Sequence, residues 1–262
     1  MSDENTSILL VTGGHPFERE PFFRLFDALD GVDWTHVEQP AAQALFSREH
    51  ATRFDAMVCY DMPGIRFKAD GDLDYLEPDP LFKERFLDLL ESGFGFVFLH
   101  HAIAGWPTWG RFAEIVGGRW QYLPGKVRGK LLPDSGFRQN ATHSIRVLGD
   151  HAVTRGLPET FQLTDELYLY EIFEDSIEPL LASDYSFTRD NFYSAAKAVR
   201  EQKISNEGWD HPPGRNLIGW TRSFGNSRIV YLQCGHDAVV YDSPEFQMLL
   251  KNAIKWVADG RA

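Results

Sequence analysis

Four histidine positions stand where chemistry is expected. His15, the pair His100-His101 and His236 each follow a short apolar run: residues 7–12 lead into Gly13-Gly14-His15, residues 95–99 into His100-His101-Ala102, and residues 228–233, past Cys234, into Gly235-His236-Asp237. In open α/β sheets the carboxyl ends of the strands form the crevice where ligands sit, so separate strands would deliver these imidazoles to one edge. Two carboxylates join them. Asp61 follows the apolar run 54–60, and Glu166 lies in the extended-looking stretch 164–168. Imidazole and carboxylate suit Zn, Mn, Fe or Ni, and catalytic metal sites typically use three such ligands with an open position for water or substrate. The same groups also serve as general acids and bases. No compact His-x-His or His-Glu-x-x-His pattern is present, so the cluster of His15, Asp61, His100 or His101, Glu166 and His236 depends on the fold. The alternative is that these histidines cap helices or bond loop backbone.

Asp165 and Glu166 are adjacent, and on an extended chain they face opposite sides, so they do not form an acid/base pair. A glycosidase-type pair of carboxylates would need Glu166 with a distant partner such as Asp61 or Asp237. The turn at 99–102 sits where an amidotransferase or hydrolase exposes a Cys or Ser nucleophile, and here the residue is His. Neither Cys59 nor Cys234 lies in an elbow sequence; both fall in apolar runs as small buried thiols. Trp106, Trp109, Trp120, Tyr122, Trp209 and Trp220 gather near the same edge, where flat rings with a polar handle could line a sugar site. Trp220 reads as core. Gly13-Gly14 reads as a tight turn rather than an anion cradle, since the fuller Gly-x-Gly-x-x-Gly is missing.

The elements that must position these groups follow from periodicity. The first hundred residues alternate strand and helix patterns, the signature of βαβ units and a parallel sheet. Phe22, Phe26 and Leu29 recur at helical spacing behind Pro21, residues 33–37 form a weaker strand, and Leu81 to Leu90 make an amphipathic helix stopped by Ser92-Gly93. A short helix over 109–116 stops at Gly117-Gly118. Residues 119–215 read as an irregular elaboration with strand-like pieces at 144–148 and 166–170. A hairpin over 217–233 turns at Gly225-Asn226, and a closing helix over 244–257 has Ser243 as N-cap and Pro244 at its first position.

Composition bounds the function. The chain has 262 residues, 43% of them hydrophobic, and a formal net charge of −12, which argues against nucleic acid or an anionic membrane surface. Residues 1–6 are polar and acidic, without a signal-peptide pattern, and no run approaches a membrane span, so a cytoplasmic protein is expected.

The chain resembles ThuA-like proteins, named for trehalose utilisation and built on the class I glutamine amidotransferase-like, flavodoxin-like fold. The resemblance rests on Val11-Thr12-Gly13-Gly14-His15, Phe54-Asp55 to Asp61, Leu99-His100-His101-Ala102, Val116-Gly117-Gly118, the run from His151 to Pro158, Thr164-Asp165-Glu166-Leu167-Tyr168, Gly225 to Tyr231 and Gly235-His236-Asp237. It covers nearly the whole chain and implies one doubly wound α/β domain over 1–262, with a mostly parallel sheet and helices on both faces. It also implies a sugar-related role, alongside dehydrogenases that make 3-keto sugars. Residues 119–143 and 185–215 match the family pattern poorly.

The expected activity is therefore hydrolysis or isomerisation of a glycoside, 3-keto forms included, by a His/Glu acid/base or metal-assisted centre. Glu166, His100 and His15 form the catalytic set, and His15, His100 and His236 are the candidate ligands of one divalent metal, Zn or Mn. Asp61, His101, Trp109, Tyr168 and Asp237 are expected to face the substrate. No nucleotide cofactor is expected, the partner is a small sugar, and association of identical chains is compatible with the sequence. The alternatives are a sugar-binding or regulatory module without catalysis, and, least favoured, a glutaminase.

Overall fold

The computed structural model describes residues 5–260; residues 1–4 of the polar amino-terminal stretch lie outside them. Five strands build the parallel half of the central sheet: β1 (Thr6–Gly13), β2 (Val32–Glu38), β3 (Ala56–Asp61), β4 (Gly95–Leu99) and, late in the chain, Ser227–Leu232. The central ones, β1, β3, β4 and Ser227–Leu232, are apolar runs buried on both faces, as parallel strands covered by helices must be, while the edge strand β2 is largely half-buried or exposed. Val97 illustrates this, pairing with Val58 on one side and Val230 on the other. Helix α1 (Arg19–Asp27) covers one face with Phe22, Leu25 and Phe26. Helix α2 (Pro80–Glu91) covers the other with Phe82, Phe86, Leu89 and Leu90. Its start follows from Pro80 and from Asp79, whose carboxylate accepts the Leu81 N–H at 2.8 Å. Helix α3 (Gly110–Val116) stops where Gly117 takes φ +94°.

The largest departure from expectation lies between residues 119 and 215. The stretch read as irregular elaboration supplies β5 (Gly136–Val147), β6 (Thr160–Leu169) and β7 (Glu178–Ser183), which extend the same sheet antiparallel, followed by the short helix α4 (Ala195–Arg200). With β8 (Leu217–Phe224) and β9 (Ser227–Leu232) the order across the sheet is β6-β5-β7-β8-β9-β4-β3-β1-β2, and the short strand Tyr193–Ser194 also pairs with β5. The alternation that announces such strands is broken in β5, whose register against β6 shifts between Arg138 and Ala141. The β8–β9 hairpin turns at Gly225-Asn226 as expected, with Phe224 opposite Ser227. The closing helix α5 (Pro244–Ala258) begins at Ser243, whose hydroxyl accepts the Phe246 N–H at 3.3 Å. Phe246, Leu249, Leu250, Ile254 and Val257 of α5 are fully buried, and truncating any one to Ala would cost about 2–5 kcal/mol. Among the described residues no helix is long and apolar enough to cross a membrane.

Candidate active site

The carboxyl ends of β1, β4 and β9 converge, and β6 of the antiparallel half brings Glu166 across to meet them. At the end of β4 the chain turns sharply into the one-turn helix His100–Ala104, and His100 holds φ +44°. A left-handed backbone at a non-glycine residue costs of order 1 kcal/mol or more and persists where surrounding structure demands it. It aims His100 inward: the ring is fully buried, and its Nδ1–H donates to the Gln233 carbonyl at 2.6 Å. The Nε2 atom is thereby left to face Glu166 Oε2 at 3.1 Å and His236 Nδ1 at 3.0 Å, while His236 Nδ1 lies 3.2 Å from the same Glu166 oxygen. Three donor atoms, two from strand ends and one from within β6, thus form a nearly equilateral triangle.

Burial and charge set the protonation of this group in opposite senses. Burial works to lower His100, but the hydrogen bond and charge of Glu166 outweigh it and raise the imidazole above its usual range. Burial works to raise Glu166, and the His100 hydrogen bond with the charges of His236 and His100 holds it below the usual carboxylate range. His236 is lowered by burial and then by His100.

The triangle opens into a cleft of about 630 Å³. Its walls carry the aromatic rings of Phe17, Trp120, Tyr122, Phe137 and Tyr168, the amides Gln139 and Asn140, and the carboxylates Glu18 and Asp237. Among the described residues no Lys or Arg lines it. Tyr168 packs on the His100 ring at 4.5 Å, and Trp120 lies 5.2 Å from Tyr168.

The expected site residues divide on the structure. Glu166, His100 and His236 meet in the triangle, and His15, Tyr168 and Asp237 reach the cleft. His15 stands apart from the triangle: its Nδ1–H donates to the Pro16 carbonyl at 2.7 Å and its ring lies 6.4 Å from that of His236. It is lowered by burial, so it faces the cleft as a neutral imidazole near neutral pH. His101 does not line the cleft; it is packed between Tyr60 at 4.2 Å and His15 at 4.6 Å, and supports His15 from behind. Asp61 is 5% exposed and held by the Gln39 amide at 2.7 Å, among Phe46, Cys59 and Trp106 on the other side of the sheet edge. Burial pushes its carboxyl up to about 7. Trp109 lies in the aromatic cluster of Phe82, Phe86 and Phe112, away from the cleft. Of the two partners considered for Glu166 in a carboxylate pair, Asp237 therefore shares its cleft and Asp61 does not.

Other residues were not legible as site residues. Asp165 turns away from Glu166, as adjacent strand residues must, and its carboxylate accepts the backbone N–H groups of Gly235 at 2.8 Å and His236 at 3.1 Å. Gln139 and Asn140 reach the cleft through the bulge in β5, where Asn140 takes φ +53°. The only signal for them is the failed alternation at Arg138-Gln139-Asn140-Ala141. Gly13-Gly14 forms the expected tight turn: a Cβ on Gly14 would fall 2.3 Å from the Met62 carbonyl oxygen. Trp220 is core, its Nε1–H donating to Val116 at 2.8 Å, and both cysteines are buried and unpaired.

The sequence pattern of ThuA, trehalose utilisation, matches residues 14–257. The chain belongs to the ThuA family. Two ThuA-like proteins of known structure share its fold. The one from Parabacteroides merdae is 19% identical with a TM-score of 0.65, covering 98% of this chain and 91% of its own. The one from Bacteroides uniformis is 18% identical with a TM-score of 0.63, covering 96% and 91%. PurLQS from Thermotoga maritima is 10% identical with a TM-score of 0.53, covering 96% and 99%, which places this ThuA-family chain on the class I glutamine amidotransferase-like fold. No curated protein matches the chain. The turn after β4, where the sequence was read for a nucleophile, carries His100 and His101 and neither Cys nor Ser.

Proposed function

We propose that this ThuA-family protein is an enzyme acting on a glycoside or related sugar, 3-keto forms included, by proton transfer from a His/Glu centre that leads to hydrolysis or isomerisation. The observation that carries the reading is the His100–Glu166–His236 triangle at the base of an aromatic-walled cleft. Ring faces such as Trp120 and Tyr168 pack against the C–H faces of a sugar, and Gln139, Asn140 and Asp237 supply the sparse polar contacts that orient hydroxyls. Glu166, held ionised in a largely dry setting, accepts a proton from water or from a carbon beside a carbonyl. His15, a neutral imidazole at the rim, relays it. The free thiols of Cys59 and Cys234 fit a reducing, cytoplasmic setting.

The test is turnover of a panel of glycosides and their 3-keto derivatives by the wild type, Glu166→Gln and His236→Ala. General acid/base catalysis contributes about 10²–10⁴-fold, so losses of that order are expected in both variants. Unchanged turnover in both variants, or tight binding of an unmodified sugar without product over hours, would favour a non-catalytic sugar-binding module.

A further inference from the structure

We infer that the His100–Glu166–His236 triangle is a binding site for one divalent first-row transition cation, with His100 Nε2, His236 Nδ1 and Glu166 Oε2 as its three protein ligands. The inference deepens the proposed function by naming what the centre holds: a cation on Oε2 leaves the other oxygen of Glu166 for the proton transfer, and the geometry does not depend on which sugar is turned over.

Two observations carry it. The first is spacing. The three donor atoms stand 3.0, 3.1 and 3.2 Å apart. An ion about 2.1 Å from each ligand sets neighbouring octahedral donors about 3.0 Å apart and tetrahedral ones about 3.4 Å apart. The triangle therefore matches one face of an octahedron, with the opposite positions left for water or for sugar oxygens. Two imidazoles and one carboxylate on a face is a known arrangement for divalent metals with open coordination positions.

The second is the fixed tautomer of His100. Its Nδ1 lies 2.6 Å from the Gln233 carbonyl, which can only accept, so Nδ1 carries the hydrogen. With that hydrogen on Nδ1, Nε2 is the buried atom that meets the carboxylate oxygen and His236, and in the neutral ring it presents a lone pair to them. Lone pair against carboxylate is repulsive unless a positive charge stands between them. A proton on Nε2 satisfies one edge of the triangle at a time, whereas a cation satisfies all three donors together. The Gln233 carbonyl acts as the outer partner that orients a ligating histidine.

The assignment differs from the set expected from the sequence by exchanging His15 for Glu166. His15, with Nδ1–H committed to Pro16, remains at the rim as the proton carrier.

The experiment is metal content by mass spectrometry after the full chain is loaded separately with Mn²⁺, Zn²⁺ or Co²⁺ and dialysed, with the visible spectrum of the Co²⁺ form as a second readout. About one ion per chain is expected in the wild type and in His15→Ala. Retention should fall at least tenfold in His100→Ala, Glu166→Gln and His236→Ala, with a changed Co²⁺ spectrum in any residual complex. Circular dichroism identifies a variant that fails to fold, and the near-isosteric Glu166→Gln then decides. A wild type that retains no ion, or ligand variants that retain it as the wild type does, overturns the assignment. A wild type that holds one ion per chain yet turns over no glycoside would sink the sugar reading and leave the cation standing.

Discussion

Asp165 holds His236 by its backbone. The Asp165 carboxylate accepts the His236 N–H at 3.1 Å and the neighbouring Gly235 N–H at 2.8 Å, so the loop after β9 is fastened to β6 one residue from Glu166. Two corners of the triangle, on strands that are not neighbours in the sheet, are thereby kept in mutual register.

Asp165→Asn should loosen that register. The amide keeps one acceptor but turns a donor toward a backbone donor, leaving a buried group unpaired at a cost of about 1–3 kcal/mol. Urea unfolding should show a loss of that size, and Co²⁺ affinity should drop about tenfold, as for other residues that orient ligands. Affinity equal to wild type in a destabilised variant would assign Asp165 to the fold alone.

Asp61 should make stability depend on pH. Burial pushes its carboxyl up to about 7 in the native state, from an ordinary 3.8 in the unfolded chain. The native state therefore keeps a proton that the unfolded chain releases. This contribution is fully present below about pH 4 and is lost as pH rises through 7, at up to about 1.4 kcal/mol per pH unit. Asp61→Asn, whose amide oxygen can still accept from Gln39, should gain stability relative to wild type between pH 5 and 8. Parallel melting-temperature curves for the two proteins across that range would refute the buried acid.

The cleft should discriminate against phosphorylated sugars. Glu18, Glu166 and Asp237 line it, with no Lys or Arg among the described residues, so a phosphate would add like charge to a poorly solvated space. Calorimetry should find a neutral sugar bound at least about tenfold more tightly than its phosphate ester. Equal or reversed affinities would show that the phosphate finds a cation elsewhere.

Neither cysteine should be reactive. Burial pushes both thiols well above their usual range, and nearby Asp61 and Asp165 add to the effect. Iodoacetamide should label Cys59 and Cys234 only after unfolding, and glutamine should yield no ammonia. Rapid labelling of the native protein would contradict the burial of either thiol.

The sequence by itself determined what is local. Apolar runs placed β1, β3, β4 and β9; Ser92-Gly93 marked a helix end and Ser243-Pro244 a helix start; Gly225-Asn226 marked the hairpin. Strand ends followed by histidine marked the functional edge. Each signal arises within a few residues of where it acts, through cap chemistry, turn geometry or continuous burial.

Tertiary structure decided which of those residues meet. His100 and Glu166 are 66 positions apart and His100 and His236 are 136 apart, and their contact depends on an antiparallel half of the sheet that a bulge in β5 hides from any periodicity. The strand-end signal applied equally to His100 and His101, yet the left-handed turn at His100 sends one ring to the triangle and the other behind His15. Asp61 and Trp109 carried suitable chemistry and were packed away from the cleft, because side-chain direction at a strand end is set by the neighbouring elements and not by residue type.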